Sequence, residues 1–200
     1  MMSVKSAETA YPIHELLAER WSPRAFSPEA LTPAQIGSLL EAARWSPSAG
    51  NGQPWVFIVA TREDSATYTA LLECLNESNQ VWARQAPLLL LAVAQIQRGP
   101  DKPNTHGPYD LGQAVANITV QATHLGLYVH QMGGFSADRA REAFQIPPEY
   151  APFTAIAIGK LGDPDTLTEN LRERELAKRV RKPLNEFVFS GVWGTQLDLG

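Results

Sequence analysis

Ile13, Leu16, Leu17 and Trp21 recur at helical spacing, so the chain opens with a helix that ends near Arg20. The segment WSPRAFSPEAL that follows is extended, because Pro23 and Pro28 each push the preceding serine away from helical geometry. Thr32, Pro33 and Gln35 read as N-cap, first helical residue and capping-box partner. Behind them Ile36, Leu39, Leu40 and Ala43 form one apolar stripe, which predicts a helix over 33–45. SPSAGNGQP, residues 46–54, is a loop rich in proline and glycine, and it feeds the aromatic, β-branched run WVFIVA, read as a buried strand.

Residues 64–82 carry Leu71, Leu72, Leu75 and Trp82 in one helical pattern, and Pro87 then opens the apolar strand LLLLAVA. Gln97 to Pro108 reads as an exposed loop. Leu111, Val115, Ile118, Ala122 and Leu125 recur every three or four residues before Gly126, which predicts a long helix over 109–125 with a wide apolar face. YVHQMGGF is a short strand ending at Gly133 and Gly134, Ser136 caps a short helix through Phe144, and FTAIAIGK is a further strand. Helices and strands therefore alternate to the end of the pattern, which argues a layered fold with helices covering a sheet.

Length and composition narrow the class. A chain of 200 residues that is 44% hydrophobic holds enough apolar material for a sizeable core, and no tract of low complexity divides it, so residues 1–200 read as a single domain. Lys and Arg number 17 against 21 Asp and Glu, the opposite of the surplus that neutralises nucleic-acid phosphates. The longest apolar run, Ala86 to Ala94, is too short to cross a bilayer, and MMSVKSAETA lacks the apolar core of a signal peptide. These features point to a cytoplasmic protein with no nucleic-acid or membrane partner. Cys74, the single cysteine, has apolar neighbours that suit a packed thiol better than a nucleophile. The four histidines lack metal-ligand spacing, and no phosphate-binding P-loop, dinucleotide fingerprint, nucleophile elbow or HExxH occurs.

The chemistry rests on arginine and on amide-rich loops. In an extended RWSPR, Arg20, Ser22 and Arg24 project to one side, and Arg179 and Arg181 repeat the spacing beside Pro183. Between Arg172 and Lys182 the chain carries six of its 17 basic residues. Taken one at a time these pairs read more simply as solvated charge or ion pairs with Glu19, Glu173 and Glu175. Taken together, in a net acidic chain, they suggest a small phosphorylated ligand. In SPSAGNGQP, Asn51 and Gln53 supply amide donors and acceptors for a heteroaromatic edge, or simply face water. Gly133 and Gly134 admit a tight turn or a close approach to a flat ligand.

RWSPRAF, then PSAGNGQPW, then MGGF after a long helix, then RVRKPLNEFV, in that order over nearly the whole chain, resemble the nitroreductase family of FMN-dependent oxidoreductases. The resemblance implies an α+β fold, a three-layer α/β/α arrangement with a mainly antiparallel central sheet, in an interlocked homodimer with two FMN sites built from both chains. By position, Arg20, Ser22, Arg24, Arg179 and Arg181 would hold the flavin phosphate. Pro47, Ser48, Asn51 and Gln53 would line the isoalloxazine and ribityl region, and Gly133 and Gly134 would lie near the reacting ring edge. Many members carry an acidic residue just before that glycine, whereas here Gln131 and Met132 precede Gly133, a departure that bears on substrate preference.

The implied activity passes reducing equivalents from NAD(P)H to a small acceptor such as a nitroaromatic or quinone by a ping-pong mechanism. The chemistry would be borne by the flavin, with no catalytic side chain of its own and no metal. The rival readings are another flavin reaction on the same fold, such as dehalogenation or dehydrogenation, and a non-catalytic flavin-binding or storage protein.

Overall fold

The structure is a computed structural model describing residues 5–199. Its centre is a sheet of four antiparallel strands in the order β1-β2-β4-β3, with β1 at Trp55–Thr61, β2 at Leu88–Gln95, β3 at Tyr128–Met132 and β4 at Tyr150–Gly159. β2 and β4 are the inner pair, and β2 is buried along its length up to Ala94. Side-chain alternation in β2 divides the core. Leu89, Leu91 and Val93 pack to one side with Phe26, Tyr68, Leu71 and Trp82. Leu88, Leu90, Ala92 and Ala94 pack to the other with Leu39, Ala43, Leu111, Val115 and Ile118. The α+β, three-layer reading is thereby realised, with an apolar run in β2 because both of its faces are covered.

One helical layer is α2 (Pro33–Arg44) against α5 (Gly107–His124). The capping box of α2 is present in full: Gln35 N donates to Thr32 Oγ1 at 3.2 Å and Thr32 N donates to Gln35 Oε1 at 2.9 Å. The opposite layer is α3 (Ser65–Cys74), α4 (Glu77–Ala83) and α6 (Ala137–Phe144), where Ser136 accepts from Arg139 N as expected of a cap. α1 (Glu15–Glu19) and α7 (Glu169–Leu176) flank the sheet sandwich.

Four expectations need correction. The helical pattern over 64–82 is two helices, because Leu75 turns extended to pair with Phe135 in an isolated bridge and Asn76 starts a new helix. WVFIVA is an edge strand, only partly buried, since β1 has a neighbour on one side alone. Gly107 and Pro108, read as loop, form the first turn of α5, and within the loop Asn104 is buried and donates to Gln95 O at 2.9 Å. The opening helix is short and buries no residue, leaving Ile13 and Leu17 exposed.

Among the described residues no helix is long and apolar enough to cross a membrane, and no group of His, Cys, Asp and Glu is placed to hold a metal. Cys74 is buried, its thiol donating to Ala70 O, and burial pushes its pKa up.

Candidate functional site

The connector between α1 and α2 runs beside β3 and is held in place residue by residue. Trp21 packs edge-on against Tyr128 at 6.0 Å. Phe26 bridges to Leu161, and Gly162 N donates to Ala25 O at 2.9 Å. At Gly162 any Cβ would lie 2.5 Å from Phe26 backbone, so only glycine lets the two segments approach.

A half-buried and a buried side chain, His130 and Glu175, clamp one peptide unit of this connector. His130 Nδ1 donates to Pro23 O at 2.7 Å, and the N–H of the same unit, Arg24 N, donates to Glu175 Oε2 at 2.9 Å. Glu175 Oε1 accepts from Arg24 N and Ala25 N at 3.1 and 3.2 Å. Glu175 is 2% exposed and is the one buried residue of α7.

Beyond α7 the chain returns to the connector. Arg179 Nη1 donates to Lys5 O and Ala18 O at 2.6 and 2.7 Å. Lys5 in turn donates to Glu175 O and Ala177 O and lies over the Trp21 ring at 4.8 Å. The result joins the two Arg-x-Arg segments, which the sequence holds far apart. Burial, and then the neighbouring Arg179 and Arg181 guanidiniums, push Arg20 below its ordinary pKa. Arg179 is lowered by burial and by Arg181. Arg20 Nη1 donates to Ser22 Oγ at 3.3 Å.

Among the described residues no carboxylate forms an ion pair with Arg20, Arg179 or Arg181. Ion pairs lie elsewhere, at Glu41–Arg44, Glu29–Lys160, Asp165–Arg172, Glu8–Lys178 and Glu186–Lys182. Arg24 lies in a different neighbourhood: burial lowers its pKa first, Arg174 adds to this, and Glu175 opposes it. A cavity of about 840 Å³ opens at the cluster, lined by Tyr11, Ile13, Leu17, Arg20, Arg181 and Phe187 among others.

The loop 46–54 is tied to α5. Asn117 Nδ2 donates to Ser46 Oγ at 2.7 Å, and Ala49 N donates to Oδ2 of Asp110, itself 2% exposed, at 3.1 Å. Ser48 Oγ accepts from Gln53 N at 3.0 Å, Gln53 Nε2 donates to Asn51 O at 3.2 Å, and Gln95 N donates to Pro54 O at 2.8 Å. These bonds hold Asn51 and Gln53 at φ values of 55° and 46°. The left-handed region costs an ordinary residue about 1–2 kcal/mol, so the loop is a fixed shape maintained by its partners. Pro47, Asn51 and Gln53 are exposed.

At the end of β3, Gly134 is crowded: an added Cβ would meet Asn79 Nδ2 at 2.6 Å, and Gly134 O accepts from Asn76 N and Asn79 Nδ2. Gly133 is different, since a Cβ there would meet nothing within 4 Å. Neither the packing nor the backbone angle demands glycine at 133, and its bare main chain faces open space. Among the described residues no hydrogen bond or ion pair joins the arginine cluster, the loop 46–54 and Gly133–Gly134 into one group. Sequence reasoning missed Glu175, Lys5 and Asp110. An acid within a charged run or at a helix start carries no sign of burial, and only the fold brings Glu175 to Arg24.

The described residues thus form an α+β domain with a pinned amide-rich loop and a cluster of arginines that no carboxylate pairs. The nitroreductase family profile matches residues 17–160, and the chain belongs to that family. It is 34% identical to an oxidoreductase containing FMN known from its crystal structure, with a TM-score of 0.90 over 98% of this chain and 100% of the other. An uncharacterized 15.4 kDa protein from the ask 5′ region of Mycolicibacterium smegmatis is 36% identical over 132 residues, 66% of this chain and 87% of the relative. The FMN reductase (NAD(P)H) of Bacillus subtilis strain 168 is 26% identical over 165 residues, 74% of this chain and 65% of that protein.

Proposed function

We propose that the chain binds FMN and passes reducing equivalents from NAD(P)H to a small acceptor such as a nitroaromatic or quinone. The observation that carries this is the convergence of Arg20, Arg179 and Arg181 on one cavity, with no carboxylate paired to them among the described residues. Like charges held together are unfavourable until an anion joins them, and a phosphate dianion accepts several guanidinium donors at once. The residues fit the cofactor in two further respects: the loop 46–54 offers exposed amides in a fixed shape, and Gly133 leaves room for a flat ring.

When bound, FMN supplies the redox chemistry, taking hydride equivalents from NAD(P)H and delivering electrons to the acceptor. The chain's own residues bind and orient. Arg20, Ser22, Arg24, Arg179 and Arg181 are assigned to the phosphate, with Arg20 and Arg181 most directly engaged, because Arg179 spends Nη1 on two carbonyls of other segments, Arg20 and Arg181 bond only to Ser22 and Val180 O of their own, and Arg24 faces Arg174. Pro47, Ser48, Asn51 and Gln53, with Gly133 and Gly134, are assigned to the ring and ribityl region. No hydrogen bond or ion pair among the described residues joins loop and cluster within one chain, and the exposed Tyr11, Ile13, Leu17 and Phe187 beside the cluster favour a homodimer in which each site draws on both subunits.

An absorption spectrum of the purified protein, with release and identification of the bound cofactor, tests the reading directly; a colourless protein that takes up no added FMN overturns it. Two charge-assisted bonds worth about 1.5–3 kcal/mol each set the scale of the finer test. Arg20→Ala or Arg181→Ala should weaken FMN about tenfold to a hundredfold while leaving riboflavin, which lacks the phosphate, nearly unchanged. Unchanged FMN affinity in both variants would return these arginines to ordinary surface charge.

A further inference from the structure

Glu175 stands apart from its surroundings. Every other residue of α7 is exposed or half-exposed, yet its side chain is 2% exposed and reaches across 151 positions of sequence to Arg24 N and 150 to Ala25 N. No Lys or Arg forms an ion pair with it among the described residues. A buried carboxylate that accepts backbone N–H groups in place of a cation fixes the position of the backbone it binds. The backbone in question is the connector that carries Arg20 and Ser22, and its Pro23–Arg24 peptide is also held by His130 from the carbonyl side. On the other flank, the main-chain carbonyl of Glu175 accepts from Lys5, whose own carbonyl accepts from Arg179. One residue thus holds the connector by its side chain and is linked to Arg179, through Lys5, by its main chain.

We propose that Glu175 is a positioning residue of the phosphate site, which sets the spacing between the arm bearing Arg20 and Ser22 and the arm bearing Arg179 and Arg181. The proposal rests on the assignment of those arginines to the FMN phosphate. It touches neither ring nor phosphate itself, so its removal should be felt where the arms matter and nowhere else in the ligand. Glu175→Gln keeps the volume and one acceptor oxygen, and Glu175→Ala removes both oxygens.

The test measures dissociation constants of the full-length protein for FMN and for riboflavin, in wild type, E175A, E175Q and a control, Tyr68→Phe. The control removes a buried hydrogen bond from the Tyr68 hydroxyl to Ala86 O, in the layer of α3 and away from the arms. E175A should raise the FMN constant about tenfold or more and leave riboflavin within about threefold, so that the ratio of the two constants collapses. E175Q should fall between wild type and E175A, and it carries the same reading if E175A fails to fold. The control should leave the ratio at its wild-type value even where it lowers the melting temperature. Equal weakening of both ligands in E175A and E175Q, or no change in either, overturns the positioning role. A wild type that binds FMN no tighter than riboflavin overturns the phosphate assignment, and the proposal with it.

Discussion

His130 shows how burial turns an ordinary side chain into a pH-dependent element of stability. Its pKa is pushed down to about 4, chiefly by loss of water; the bond to Pro23 O opposes this, while Arg24 and Arg174 add to it. The folded state therefore holds the neutral ring, whereas the unfolded chain takes up a proton near 6.5. Stability from this group is complete above about pH 6.5, declines as pH falls towards 4, and amounts to about 3 kcal/mol over that interval. Urea unfolding between pH 8 and 4.5 should show the wild type losing more stability than His130→Gln; parallel curves would show that burial is not what sets the ring's protonation. Cys74 follows the same logic, and its thiol should react with a disulfide reagent only once denaturant opens the core.

At this scale the arginines were legible because an i, i+2 repeat beside proline is a local pattern. Glu175, Lys5 and Asp110 were not, since each derives its meaning from a partner more than sixty positions away or from burial that no local pattern announces.

Among the elements, α5 is the spine on which the loop 46–54 is mounted. Asp110 and Asn117 lie two turns apart on one side of the helix and reach Ala49 and Ser46. Asp110→Ala removes a buried acceptor from the half-buried Ala49 amide, so it should destabilise the protein by about 1 kcal/mol in urea unfolding. It should also weaken FMN and riboflavin by the same factor, because the loop is assigned to the part that both share. Selective loss of FMN alone would contradict that division of the site. The cap of α2 offers a calibration, with Thr32→Ala expected to cost about 1 kcal/mol.

α2, α5, α6 and the strands could be read from the chain because their caps and apolar periodicity are local. α7 escaped notice because its sequence, ENLREREL, has one buried residue and no apolar stripe. The break between α3 and α4 escaped for the opposite reason: the apolar pattern continues through Leu75, and a tertiary bridge to Phe135 overrides it.

Taken as one chain, the molecule leaves apolar groups uncovered. Tyr11, Ile13, Leu17, Phe187 and Val192 are exposed and Trp193 is 92% exposed, a distribution that fits a second copy of the chain. Sedimentation at micromolar concentration should show a homodimer; a stable monomer carrying FMN would refute the shared-site arrangement. If NAD(P)H and the acceptor occupy the same place in turn, initial-rate plots at several acceptor concentrations should be parallel. Intersecting lines would require separate sites for the two substrates.

The bonds from Arg179 to the carbonyls of Lys5 and Ala18 also tie a tail to a scaffold that is complete without it. The last strand of the sheet ends at Gly159 and the buried residues of both core layers lie before it, so the segment bearing Arg179 and Arg181 adds nothing to either layer. On the proposed assignment the anion site is divided between that scaffold, which holds Arg20, and the tail, which holds its companions. A chain shortened to end before Arg179 should keep its sheet by circular dichroism yet hold FMN less tightly than the full chain.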